Sequence, residues 1–167
     1  MAGSAARVDF YVLSGHDARA RLKLACRLAE KAYLAQQRVL VWADDAAELS
    51  SFDDLLWSFA DRAFVPHERY DDPQQWGDTA VLLACQPQVA AAPDVLLNLG
   101  STVPAAAAQA GRILEIIDSE PARLQAGRER FRHYRDRGLT PQTHHLEADE
   151  RHPAVDESPV AVDEPLP

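Results

Sequence analysis

Residues 128–138 read RERFRHYRDRG, a run that places five arginines and the rings of Phe131 and Tyr134 in eleven positions. A guanidinium stays charged at any physiological pH and offers a planar fork of N–H donors that matches the paired oxygens of a carboxylate or a phosphate. Such a run suits a nucleic acid, an acidic peptide, or the solvated face of a helix. At 100° per residue, Leu124, Arg128, Phe131 and Arg135 fall within about 60° of one another, and Arg132 lies about 40° beyond Arg128. Arg128, Arg132 and Arg135 are therefore expected as a cationic stripe with the ring of Phe131 beside it. Arg123, Arg130 and Arg137 point roughly the other way. Between Ser119 and Gly138, six arginines stand against Glu120, Glu129 and Asp136, a local net charge of +3. Nucleic-acid affinity grows with the number of phosphates neutralised and asks for a wider basic surface than this. A solvated face usually mixes lysine with glutamate. A short acidic ligand with an apolar side chain fits best, with forks for its carboxylates and a ring to line a pocket.

Other chemistry is harder to assemble. The first strand-to-helix turn, LSGHDARARL, has a single glycine, whereas dinucleotide and phosphate-cradling loops need several at fixed spacing. No GxSxG elbow supplies an acyl-transfer nucleophile. Cys26 and Cys85 stand 59 positions apart in apolar surroundings and read as buried reduced thiols rather than a disulfide framework. HHLEADERH, residues 144–152, offers His144, His145 and His152 to a metal, but without preset geometry or supporting partners. Asp44 with Asp45, and Asp53 with Asp54, sit where helix starts and solvated faces favour acid. No catalytic residue, metal or cofactor is assigned. The alternatives are a small nucleotide-processing enzyme using Asp44, Asp45 and Asp118 at strand ends, and a direct binder of single-stranded DNA.

These residues need a scaffold, and the apolar runs supply it. Strands are expected over 8–13 (VDFYVL), 38–43 (RVLVWA), 79–85 (TAVLLAC), 93–100 (PDVLLNLG) and 111–118 (GRILEIID). Helices are expected over 17–36, over 44–60 and, briefly, over 103–110. A last helix over 119–138 takes Ser119 as its N-cap, Pro121 in its first turn and Gly138 past its end. FVPH, residues 64–67, is a short extended piece, because the residue before Pro66 is pushed out of the helical region. The strands are apolar without alternation and exchange places with helices, the mark of a mostly parallel sheet covered on both faces. The expected fold is α/β, Rossmann-like and three-layered.

The chain has 167 residues, room for one domain, here 1–146. Its net charge of −9 disfavours a general polyanion binder. From Glu147 onward seven acids face Arg151 alone, a net of −6, among Pro, Ala and Val with no aromatic. Residues 147–167 read as a disordered acidic tail. No signal peptide is expected, and no run approaches the ~20 apolar residues of a membrane span, so the expected compartment is the cytoplasm.

VDFYVL, RVLVWADDAAELSSFDDLLW, FVPH, DVLLNLG and RERFRHYRDRG, in that order over about residues 7–140, resemble the chi-subunit family of the bacterial DNA polymerase III clamp-loader complex. The resemblance implies a Rossmann-like domain that binds proteins, needs no cofactor and catalyses nothing. It implies an adaptor between the clamp loader and single-stranded DNA-binding protein (SSB), whose C-terminal tail is a run of aspartates with an apolar tip, so that DNA is met only indirectly. By the same resemblance Arg128 and Arg132, with Arg135 in their stripe, meet the tail's carboxylates, and Phe131 lies near its apolar end. The family often has Tyr at the position of Phe131, and any contact made by that hydroxyl is missing here. A second surface is implied for the psi subunit, in a 1:1 heterodimer, at LLWSFADRAFVPH with Trp57, Phe64 and Pro66; an accessory helicase is a further partner there. On residue type alone, Trp57 and Phe64 read rather as core aromatics, and it is the resemblance that brings the interface reading level with that one. The acidic tail is not part of the shared pattern, although AVDEPLP loosely copies the ligand's order of acid before apolar residue.

Overall fold

The computed structural model describes residues 5–70, 79–86 and 92–147. Seven parallel strands form one sheet in the order β3-β4-β2-β5-β6-β1-β7. They are β1 (Arg7–Leu13), β2 (Val39–Trp42), β3 (His67–Arg69), β4 (Val81–Ala84), β5 (Val95–Asn98), β6 (Arg112–Ile117) and β7 (Gln142–Leu146). Helices α1 (Ala18–Leu34) and α2 (Ala46–Ser58) cover one face, where Tyr11, Val41, Leu97 and Leu114 meet Leu24, Leu28, Phe52 and Leu56. Helix α3 (Pro121–Asp136) and a 3-10 helix (Ala105–Gln109) cover the other, over Phe10, Leu40, Leu96 and Ile113. Adjacent strand residues alternate between these two cores, so both faces are buried and the strands read as unbroken apolar runs. The expected α/β three-layer fold is what forms, with every strand pair among the described residues parallel.

The helix starts follow local chemistry. Asp17 and Asp45 accept from the backbone N–H of Arg19 and Ala47, satisfying donors a first helical turn leaves open. In α3 the cap is Glu120, which accepts from the N–H of Ala122 and Arg123, and not Ser119 as expected. Ser119 is used elsewhere: its hydroxyl donates to the Leu13 carbonyl and its N–H to that of Gly15, which ties the head of α3 to the end of β1. Gly138 (φ +81°) closes the helix, donating to the Arg135 carbonyl in a conformation that favours glycine.

Two polar strands escaped the apolar criterion. β3 carries on from FVPH, and β7 (QTHHL) pairs with β1 at the opposite edge. The expected short helix over 103–110 is a 3-10 helix over Ala105–Gln109. The reading of 147–167 as tail lies outside the described residues except at Glu147, which belongs to the fold: its carboxylate accepts from the Ser14 hydroxyl, as the Leu146 carbonyl accepts from the Ser14 N–H.

Buried charge pins α3 to the sheet. Glu115 of β6 is fully buried and accepts from Arg130 Nε at 2.8 Å, from the Tyr134 hydroxyl at 2.6 Å and from Asn98 Nδ2 at 3.0 Å. Arg130 Nη1 also donates to the Ser101 carbonyl. Arg130 was expected on the far side of the helix from the stripe; that side turns inward, toward β5 and β6. Asp118 takes both forks of Arg123 at 2.7 Å. Burial works to raise the Asp118 pKa, but the Arg123 fork and the Glu120 N–H outweigh it and hold the carboxyl below the usual range. Asp9 behaves alike: burial opposes ionisation, and His144, Arg112 and Arg7 overcome it. His144, stacked on Tyr11 with 4.8 Å between ring centroids, thereby fastens β7.

Removing one partner of a buried ion pair strands the other. Arg130→Met is expected to destabilise the fold by about 3–5 kcal/mol, whereas Arg132→Met changes stability by about 0.5 kcal/mol or less; urea unfolding of both variants checks the contrast. The depressed aspartates predict an acid limb. Their folded pKa values lie below the ~3.9 of an unfolded aspartate, so their stabilisation is complete above about pH 5 and is lost as pH falls through the unfolded and then the folded values. Asp118→Asn should lower the urea midpoint at neutral pH and flatten its decline below about pH 4.

Candidate protein-interaction surfaces

The carboxyl edge of a parallel sheet is the usual ligand site of this architecture. Here it holds a cleft of about 180 Å³ whose rim carries Arg21, Asp44, Glu48, Arg123 and Arg130. Its polar groups are committed to the fold. Arg21, 2 % exposed, donates to the carbonyls of Ile116 and Leu99 and to Glu48. Asp44 accepts from the backbone and hydroxyl of Ser101, Asp45 caps α2, and Asp118 is held by Arg123. These acids, which the enzyme alternative would use, are thus occupied structurally. Cys26 is buried, and burial pushes its thiol up to about 12; Cys85 is half-buried. His144 serves Asp9, His145 is exposed, and His152 lies outside the described residues. Among the described residues no three His, Cys, Asp or Glu side chains converge as a metal would require. No described helix is long and apolar enough to cross a membrane.

The arginine stripe stands apart from this network. One flank of α3, with Arg130 and Ala126, looks toward the cleft and β5. Arg128, Arg132 and Arg135 lie away from that flank, on the side of Phe131, whose ring packs on Phe10 of β1. Arg128 is half-buried, Arg132 and Arg135 are exposed, and no ion pair joins any of the three to another described residue. Phe131 departs from expectation. It is only 7 % exposed, with its ring 5.2 Å from that of Phe10, so it is the core-packed floor beside the stripe rather than a freely presented ring. The Arg135 guanidinium carbon lies 6.0 Å from the ring centroid, at the outer limit of a cation–π contact.

Strand β7 adds Thr143, a residue that neither its type nor its spacing singles out. Thr143 pairs in register with Phe10, so both side chains point to the α3 face of the sheet. Thr143 is 4 % exposed, and its hydroxyl has no hydrogen-bond partner, an arrangement that folded proteins rarely leave without a reason. β7 ends the strand order, and its outer edge has no strand neighbour among the described residues.

The second predicted patch lies at the other end of the sheet. Trp57 and Phe64 are 56 % and 66 % exposed, with ring centroids 5.9 Å apart; they are not core aromatics. Pro66 is half-buried beside them. His67 lies 4.4 Å from Trp57 between centroids and bridges the Val65 carbonyl at 2.7 Å and Asp53 at 2.8 Å. Arg69 reaches Asp53 and Ser50 of the same helix. The edge strand β3 is thereby locked to α2, and two large rings stand on a braced base.

Residues 6–142 match the family profile of the DNA polymerase III chi subunit, HolC. The DNA polymerase III subunit chi of Pseudomonas aeruginosa is 39 % identical over 140 residues, covering 84 % of this chain and 96 % of that relative. The subunit chi of Escherichia coli K12 is 24 % identical over 121 residues, covering 72 % of this chain and 82 % of its own length. The match takes in strands β1 to β6, all three helices and both patches and ends at the first residue of β7, and on it this chain belongs to the chi-subunit family of DNA polymerase III, a component of the bacterial replication machinery.

Proposed function

We propose that this protein is a non-catalytic adaptor of the clamp-loader complex. It binds the acidic, apolar-tipped tail of SSB on the flank of α3 and the psi subunit, 1:1, at the Trp57–Phe64 patch. The same patch is open to an accessory helicase. The observation that carries this reading is the unpaired state of Arg128, Arg132 and Arg135 on a protein of net charge −9, whose other arginines include several bound to buried acids. Arg128 and Arg132 stand one turn apart, a like-charge pair that costs an isolated helix about 0.2–0.5 kcal/mol. An external carboxylate relieves that repulsion through bidentate hydrogen bonds.

The Thr143 hydroxyl supplies a further polar contact at the foot of the same flank, and the rim of Phe131 a small apolar one. Glu129 and Asp136 share the exposed side of α3, but six arginines between Ser119 and Gly138 outweigh the three acids there, so an anionic peptide approaches a locally basic helix. At the other end, two exposed aromatics over a braced strand have the makings of an interface hot spot. The adaptor role needs both surfaces filled together, and they occupy opposite edges of one sheet.

Calorimetric titration with an aspartate-rich peptide ending in an apolar residue tests the first surface. Arg128→Ala is expected to weaken binding at least about 10-fold, in line with the loss of a bidentate charged hydrogen bond. Thr143→Val should weaken it while leaving stability equal or improved, because it deletes an unsatisfied buried hydroxyl. Unchanged affinity in Arg128→Ala contradicts the assignment. For the second surface, Trp57→Ala should cost about 2 kcal/mol or more of psi binding with the thermal midpoint preserved; co-elution with psi that survives the substitution places that partner elsewhere.

A further inference from the structure

We infer that the acidic segment 148–164 of this chain docks on the Arg128–Arg132–Arg135 flank of α3 and competes there with an external acidic peptide. The competition rests on the reading of that flank given above; the docking does not. Three observations carry it.

The first is position. The fold releases this segment beside the flank. Glu147 is held by Ser14, the neighbouring Gly15 carbonyl accepts from the Ser119 N–H, and Ser119 immediately precedes the Glu120 cap of α3. The chain therefore leaves the sheet at the amino-terminal end of α3. Arg128 lies nine residues along from Ser119, about 14 Å of helix, a span that four or five extended residues cover. Arg132 and Arg135 follow within roughly another 10 Å.

The second is chemistry. Residues 148–167 carry six acids against Arg151, a net of −5, opposite three guanidiniums that lack an ion-pair partner among the described residues. The acids come as Asp149-Glu150, Asp156-Glu157 and Asp163-Glu164, seven residues apart, and the last two pairs each follow Ala-Val in a repeated AVDE. Carboxylates next to small apolar side chains are the ligand class this flank suits, and repetition offers three alternative registers for the same contacts. The third is that the family match ends at residue 142, so the segment is an addition to the shared fold and not a part of its core.

Exposed ion pairs are individually weak, so the contact depends on tethering, which raises the local concentration of the acids to the order of millimolar. A contact of that strength blocks part of the population and leaves the site available to a better ligand.

The test uses the full chain with all six acids neutralised, D149N/E150Q/D156N/E157Q/D163N/E164Q, beside wild type. In amide and arginine side-chain NMR spectra, docking predicts differences concentrated at Arg128, Arg132 and Arg135 that vanish in high salt; identical spectra at those residues overturn it. In titrations with the aspartate-rich, apolar-tipped peptide, competition predicts binding about 2- to 10-fold tighter for the neutralised chain, and equal affinity overturns it. Should the peptide bind neither protein, the reading of the flank as a partner site fails, while the spectra still decide whether the segment docks.

Discussion

A buried carboxylate organises this molecule. Glu115 lies at the centre of β6, inaccessible to water, and its two oxygens are divided among Arg130 and Tyr134 of α3 and Asn98 of β5. A charge in that position is tolerated only where its partners meet it with good geometry. Meeting it fixes the rotation of α3 about its own axis. Once Arg130 and Tyr134 point down to Glu115, the helical period turns Arg128, Arg132 and Arg135 away from that contact. The exposure of the proposed interaction surface is thus set by an ion pair that never reaches it.

The charge distribution follows the same division of labour. Asp9, Glu115 and Asp118 are all buried, and each has an arginine partner. Arginines from α1 and α3 meet at the carboxyl edge of the sheet, where related architectures hold small ligands, and their hydrogen bonds are spent on strand carbonyls and fixed acids. The proposed partner surfaces lie further out, on a helix flank and beside an edge strand. The two patches sit at opposite ends of a sheet whose strands are all parallel. A rigid slab of that kind suits the proposed role of holding two partners at a fixed separation.

The layers were legible in the sequence because parallel strands buried on both faces need apolar runs, and VDFYVL, RVLVWA and GRILEIID have no other use. The stripe was legible because 100° per residue groups Arg128, Arg132 and Arg135 whatever their surroundings. What failed to show were features that depend on partners distant along the chain. β7 is polar because it lies at an edge, half fastened by the His144–Asp9 pair, so no hydrophobic pattern announced it, and Thr143 went unseen with it. Arg130 read only as pointing away from the stripe, because its acid lies fifteen positions away on another element. Ser119 is the stronger N-cap by residue type, and the tie of Ser119 to β1 leaves the cap to Glu120. Phe131 belonged to the stripe by angle and to the core by contact, since it stands at the boundary between the two.

One experiment bears on the whole arrangement: an NMR titration of the isotope-labelled chain with an aspartate-rich peptide ending in an apolar residue. The account predicts that perturbations cluster at the side chains of Arg128, Arg132 and Arg135 and at Thr143 of β7, and leave Trp57 and Phe64 undisturbed. Perturbations centred on the Trp57–Phe64 patch or on the Arg21–Arg123 cleft, with the α3 flank silent, would contradict it.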